Sequence, residues 1–300
     1  MEYALLLLTV LMASMKAILN RKLKSASTTV FSTLKTNLLC FVFSFLVMFA
    51  FGLKDLALIW DTPFGLSFWL AICTLASQIC LMKAMQLGSV AVSALFAYCG
   101  FIIPTIWGTL RYNEEFRVAQ AIGIAMIIVA FLLSTKKEKD ARFNVEWLIF
   151  SFGGLLFSGL VGVIQKVFVY DYAQTSLNNF LTVAFALILV IGGGCLWIAY
   201  GLERKNALKK AGAQAESSRT ERGWKLFFVV GVGVLIAVIN IIHTYLSGRV
   251  PRAVVFPVIN GGSIFLTTIM SVLFFKEKPT KSQAIGLSIG VLAILVIALA

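Results

Sequence analysis

The stretch "NEEFRVAQAIGIAMIIVAF", residues 113–131, returns in altered form as "KEKPTKSQAIGLSIGVLAI", residues 276–294. Both contain Gln-Ala-Ile-Gly, at 120–123 and 283–286, and Glu114 and Glu277 stand six residues before the respective glutamines, so both features share one offset of 163 residues. Any two apolar helices look alike, and a four-residue match alone would carry little. Spacing that is kept from a loop into the following helix is harder to obtain by chance and points to a duplicated unit. Earlier parts of the chain agree more loosely: Met15-Lys16 resembles Gln165-Lys166, and Leu34-Lys35-Thr36 resembles Leu177-Asn178-Asn179.

Working outward, the rest of the chain is apolar enough to set the class. Of 300 residues 60% are hydrophobic and 13% charged, and the mean hydropathy is +0.94. A water-soluble domain of this composition would expose large apolar patches, so the sequence is read as an integral membrane protein in contact with the lipid bilayer. A net charge of +13 raises nucleic acid as a partner. The bases lie between hydrophobic runs, where they meet lipid headgroups and set topology, and nucleic acid is set aside. Cys40, Cys73, Cys80, Cys99 and Cys195 sit in apolar stretches without a CxxC pair, so neither a disulfide framework nor a metal site is expected, and no cofactor is.

Ten apolar runs are long enough to span a bilayer core, centred on residues 3–19, 38–51 (starting as early as Val30), 66–82, 88–110, 118–134, 147–164, 180–202, 226–246, 253–275 and 283–300. Unpaired backbone groups are too costly in lipid, and runs this long and continuously apolar are helices rather than barrel strands. The first run has no basic stretch before it and no small-residue cleavage site after it, so it is read as a helix and not as a signal peptide. Ten helices divide into five and five: residues 1–135 and residues 146–300. Five is odd, so the second copy enters from the opposite face, which makes the repeat an inverted one. The expected fold is therefore all-α, with ten transmembrane helices in two inverted five-helix repeats.

At these residues the chain resembles the drug/metabolite transporter superfamily, and within it the EamA-like permeases. The matching pieces are "LRYNEEFRVAQAIGIAMIIVAFLL" and "VVFPVINGGSIFLTTIMSVLFFKEKPTKSQAIGLSIGVLAIL"; "FPVINGG" and "FFKEKPT" are also similar to the small multidrug-resistance branch. The first helix lacks the Trp-Gly pair usual in the family. The resemblance implies a secondary transporter or exporter of small organic molecules, seated in the plasma or inner membrane as a monomer or homodimer.

The ionisable residues narrow the chemistry, because a charge within the bilayer is costly unless paired or wetted. All thirteen carboxylates fall at helix ends or in loops, leaving no mid-membrane acid to relay a proton and weakening a cationic-drug reading. Glu114 and Glu277 are read as architectural, an acid before a helix N-terminus being worth roughly 0.3–1 kcal/mol. The lysines differ. Lys16, Lys35, Lys83 and Lys166 lie within reach of the apolar zone, and snorkelling of the ammonium explains any one of them. Lys16 and Lys166 also occupy matching places in the two repeats, where a pair of cations would favour a carboxylate or phosphate.

Tyr98 and Trp107 in the fourth run, and Phe256 and Asn260 in the ninth, are candidate pocket residues. Pro257 with Gly261 and Gly262 either breaks the ninth helix, exposing backbone groups to substrate, or lets helices pack closely, as Gly154, Ser158 and Gly162 do in the sixth. His243, with Asn240 three residues before it, is the sole histidine of the chain; it is either a hydrogen-bonded structural group or the one side chain able to titrate near neutrality in the membrane zone. Gln165 and Asn179 are candidates for interhelical hydrogen bonds.

Orientation is read in two ways. Connections after odd-numbered helices hold 20 of the 26 bases, and those after even-numbered helices hold Lys54, Arg111, Arg117, Lys166, Arg249 and Arg252, which places the termini outside; the family resemblance implies cytoplasmic termini. The expected function is alternating-access transport of an amino-acid-like or anionic metabolite. A membrane-embedded lipid-modifying enzyme would need a motif such as HExxH or GxxxxGK[ST], and neither occurs. A non-transporting membrane subunit would have no reason to keep an inverted repeat.

Overall fold

The computed structural model describes residues 2–24, 30–53, 59–87, 93, 96–97, 99–113, 117–134, 145–209, 221–250, 252–275 and 281–299. Among these residues there is no strand, and the helices are α1 (Glu2–Lys24), α2 (Val30–Gly52), α3 (Phe64–Leu87), α4 (Ile102–Tyr112), α5 (Val118–Ser134), α6 (Val145–Asp171), α7 (Leu177–Lys209), α8 (Glu221–Leu246), α9 (Arg252–Phe275) and α10 (Lys281–Leu299). Of the fourth apolar run, read as 88–110, the described helix is the 11-residue α4. Six of the helices are long and apolar enough to cross a membrane: those spanning Glu2–Asn20, Leu34–Gly52, Phe64–Leu87, Val145–Asp171, Leu177–Gly201 and Leu226–Leu246. Such segments place the protein in a membrane. Glu114 and Glu277 lie outside the described residues.

Proline and asparagine set the local boundaries. Pro63 immediately precedes α3, its carbonyl accepting from Ser67 N–H at 3.0 Å, and Pro104 occupies the first turn of α4, where its missing N–H would have had no helical partner. α4 ends at Asn113, whose φ of 50° is left-handed and whose N–H caps the Gly108 carbonyl. Asparagine tolerates this conformation better than most residues. In α9 the helix passes without interruption through Pro257 and Gly261-Gly262. Of the two readings of that motif, close packing is the one adopted: a Cβ on Gly261 would lie 3.2 Å from Ile127 Cδ1 of α5.

The chain forms two compact units. The first comprises Met1–Met15, Cys73–Gln174 and Ile241–Ala300; the second comprises Lys16–Ile72 and Thr175–Asn240. Each draws on both halves of the sequence, and α1, α3 and α8 contribute to both.

In the first unit α5 lies along α10, α10 along α9, and α4 along α6. Its core joins Leu6 and Val10 of α1 to Phe101, Ile127, Ala130, Leu246, Val255, Val258, Phe265 and Ala293. Gly290 lets the Phe265 ring press against the α10 backbone, where any Cβ would collide with it. The chain leading into α4 also lies close to α6: a Cβ on Gly159 would stand 2.8 Å from the Gly100 carbonyl oxygen, and Ser158 Oγ donates to the Ala97 carbonyl at 2.7 Å. α1 meets α9 in the same manner, Ser14 Oγ donating to the Ser263 carbonyl at 3.0 Å.

In the second unit α2 lies along α7, with Phe41 and Phe185 edge to face at 5.8 Å. Leu23, Cys40, Val229 and Val232 form a small core. Ser44 Oγ donates to the Gly233 carbonyl at 2.8 Å, and Ser67 Oγ to the Phe180 carbonyl at 3.3 Å. Outward, Trp60, Val190 and Trp197 are 92%, 72% and 79% exposed, the apolar surface that lipid-facing helices carry.

Candidate functional site

The C-terminal ends of α4, α6 and α8, all in the first unit, bring the chain's unusual polar groups together. α6 places Gln165 and Lys166 on its last two turns, and both are almost completely buried, at 1% and 0% exposure. Gln165 Oε1 lies 3.0 Å from His243 Nδ1 of α8. An amide oxygen only accepts, so the histidine nitrogen facing it carries the hydrogen.

Lys166 is held differently. Its Nζ lies 5.9 Å from the ring centroid of Tyr112, the last residue of α4, and 6.0 Å from that of Tyr170, one turn beyond Lys166 on α6. The two rings stack on each other with centroids 4.2 Å apart and planes 20° from parallel. Tyr112 also donates its hydroxyl to Asp171 Oδ1 at 3.1 Å, tying the end of α4 to the end of α6. The Arg111 guanidinium lies 5.9 Å from the Tyr112 ring, and in the turn after α8 that of Arg249 lies 4.3 Å from the Tyr245 ring.

Magnitudes say what such an arrangement can do. A lysine at membrane depth costs about 2.5–3.5 kcal/mol on insertion scales. A ring face returns ~0.5–2 kcal/mol to a desolvated ammonium, so the neighbouring tyrosine pair offsets part of that cost.

Of the other residues singled out in the sequence, Trp107 is 41% exposed on α4 and Tyr98 lies outside the described residues. Phe256 is in α9, but its side chain is not among those described. Asn260 is half-buried on α9, and its carbonyl accepts from Ser263 Oγ at 3.0 Å. Lys16 is half-buried and belongs to the second unit, Lys166 to the first. Lys35 and Lys83 are exposed, as snorkelling lysines are. Asn240 turns to its own helix, donating to the Ile236 carbonyl at 2.9 Å. Tyr112 and Tyr170 were missed: tyrosines near helix ends read as interfacial belt residues, and only the stack shows that they meet across two helices. Among the described residues no cluster of His, Cys, Asp and Glu could hold a metal.

No family model matches the sequence, and no curated protein matches it. Among solved structures 28 chains match. One, the crystal structure of a protein 14% identical in sequence, covers 99% of this chain and 96% of its own with a TM-score of 0.77. At that identity the likeness is one of fold.

Proposed function

We propose that the chain is a secondary transporter or exporter of a small amino-acid-like or anionic metabolite, working by alternating access, with ten transmembrane helices in two inverted repeats, residues 1–135 and 146–300. The observation that carries the reading is Lys166, a wholly buried lysine on a helix long and apolar enough to span a membrane, with its Nζ near the Tyr112 and Tyr170 rings. Ionisable groups at such depth mark substrate or ion pathways.

The helix pairings support the repeat. Under a two-fold relating α1–α5 to α6–α10, the second helix of one repeat meets the second of the other, and the fifth meets the fifth; α2 lies along α7 and α5 along α10. The same operation carries a contact between α1 and α9 onto one between α6 and α4. Ser14 of α1 donates to the backbone of α9, and Ser158 of α6 donates to the chain leading into α4. Two such halves provide the symmetry that opening to alternate faces requires.

Counterflow in proteoliposomes tests the reading, with amino acids, dicarboxylates, phosphate monoesters and sugars as the panel. Saturable exchange of one anionic class is the expected result. Absence of exchange with every compound would turn the assignment toward a non-transporting membrane subunit.

A further inference from the structure

We propose that α4 is a hinged flap that closes the pathway over Lys166, with its hinge at Gly100–Pro104 and its latch the Tyr112–Tyr170 stack. The inference rests on the transporter reading above and adds to it the element that opens the site.

The hinge lies in the backbone. The fourth apolar run turns at Gly100-Phe101 before α4 begins. There Gly100 N–H donates to the Ala97 carbonyl at 3.3 Å and Ile103 N–H to the Gly100 carbonyl at 3.1 Å, each to a residue three back. A continuing α-helix would bond the Gly100 carbonyl to the N–H of residue 104, which is proline and has none. This end of α4 is also the fixed one. A Cβ on Gly100 would stand 2.7 Å from the Leu155 carbonyl oxygen of α6, and Ser158 holds the Ala97 carbonyl.

The far end lies nearer the surface. The buried residues of α4 are Pro104, Thr105 and Gly108, and past them Leu110 is 77% exposed. The last residue, Tyr112, reaches α6 through its stack on Tyr170 and its exposed bond to Asp171. At the same level α6 packs on the turn after α8, where a Cβ on Gly248 would lie 3.6 Å from Val169 Cβ and closer still to one of its methyl groups. When the stack parts, α4 therefore swings and α6 stays. The two rings stand 5.9 and 6.0 Å from Lys166 Nζ, and Lys166 is fully buried, so parting them uncovers the lysine. Hinges of this kind absorb their motion in a few residues at the end of an element.

The test is the rate at which Lys166 is methylated by formaldehyde and a borane reductant in the purified protein, read by mass spectrometry with the exposed Lys83 as internal standard. Expected is labelling of Lys166 at least tenfold faster in Tyr112→Leu than in the unaltered protein, and slower in Pro104→Ala, whose new N–H can bond the Gly100 carbonyl. Equal rates in Tyr112→Leu and the unaltered protein overturn the latch, and a rate in Pro104→Ala at or above that of the unaltered protein overturns the hinge. Tyr170→Leu is the companion variant should Tyr112→Leu fail to purify. Because the rings lie 4.2 Å apart, Tyr112→His combined with Tyr170→His makes a bridge for zinc beside Asp171. With zinc bound, labelling of Lys166 and counterflow should both stop and return on adding EDTA. Failure of zinc to bind, or counterflow that continues with zinc bound, overturns the flap and leaves the transporter standing. No counterflow of any solute by the unaltered protein overturns the transporter reading, and the pathway with it, whatever the labelling shows.

Discussion

The two compact units solve helix packing with different materials. In the second, the described contacts among α2, α3, α7 and α8 include neutral ones: the Ser44 hydroxyl on the Gly233 carbonyl, the Ser67 hydroxyl of α3 on that of Phe180, an edge-to-face phenylalanine pair, and Gly233 against the backbone of α2. In the first, the ends of α4 and α6 hold a buried lysine beside stacked tyrosines, one of which donates to an aspartate, and α6 meets α8 through Gln165 and His243. Neutral hydrogen bonds between membrane helices are worth ~0.6 kcal/mol on average and require little to accommodate. A buried charge requires several times that. The difference separates a region built to hold helices together from one that retains an expense which packing alone does not justify.

That contrast can be broken by substitution. The largest expected effect is on transport in Lys166→Met, which keeps the bulk of the stem and removes the charge. Anion counterflow should fall about 100-fold, as for loss of a charge-assisted contact of ~1.5–3 kcal/mol, while the thermal midpoint holds or rises, because exchanging a buried charge for an apolar chain is often stabilising. A large drop in midpoint would make Lys166 structural and erase the contrast.

The reverse pattern is expected in the second unit. A Cβ on Gly233 would stand 2.6 Å from both the Cys40 carbonyl oxygen and Phe43 Cβ. Gly233→Ala therefore has to push α8 away from α2, and overpacking of this kind costs about 1–3 kcal/mol. Thermal unfolding in detergent reads the loss, and the substrate KM should move little. Ser44→Ala, on the same contact, should cost ~0.6 kcal/mol by the same measurement. The smallest effect is expected for Tyr112→Phe. Its bond to Asp171 is exposed, so stability should change by less than about 1 kcal/mol, whereas the ring that faces Lys166 is kept. Anion affinity in Tyr112→Phe should match the unaltered protein; Tyr112→Leu, which removes the ring, should alter it.

Much of the site's composition was legible in the sequence and its construction was not. Lys166 and His243 stood out because an ionisable residue within an apolar run is conspicuous at any position. Gln165 was recognisable as an interhelical hydrogen-bonding residue, though not its partner. Tyr112 and Tyr170 gave no such signal, since aromatic residues at helix ends are ordinary in membrane proteins. Asn240, three residues from His243 and on the same face, looked like its companion and instead satisfies itself on Ile236. The FPVINGG motif was ambiguous for a related reason: proline and paired glycines permit a break, but neighbours decide whether one occurs, and Ile127 packs against Gly261 in an unbroken helix.

By itself, then, the order of residues determined that the chain is helical and membrane-embedded, because twenty-residue apolar runs have no other way to satisfy their backbones in lipid. It also determined roughly where the helices lie and which side chains are costly within an apolar run. Tertiary structure alone decided who meets whom. The stack of Tyr112 on Tyr170, the His243–Gln165 hydrogen bond and the seating of Phe265 on Gly290 join positions 58, 78 and 25 residues apart in the chain. Helical periodicity fixes which residues share a face, but it says nothing about which other helix that face will touch.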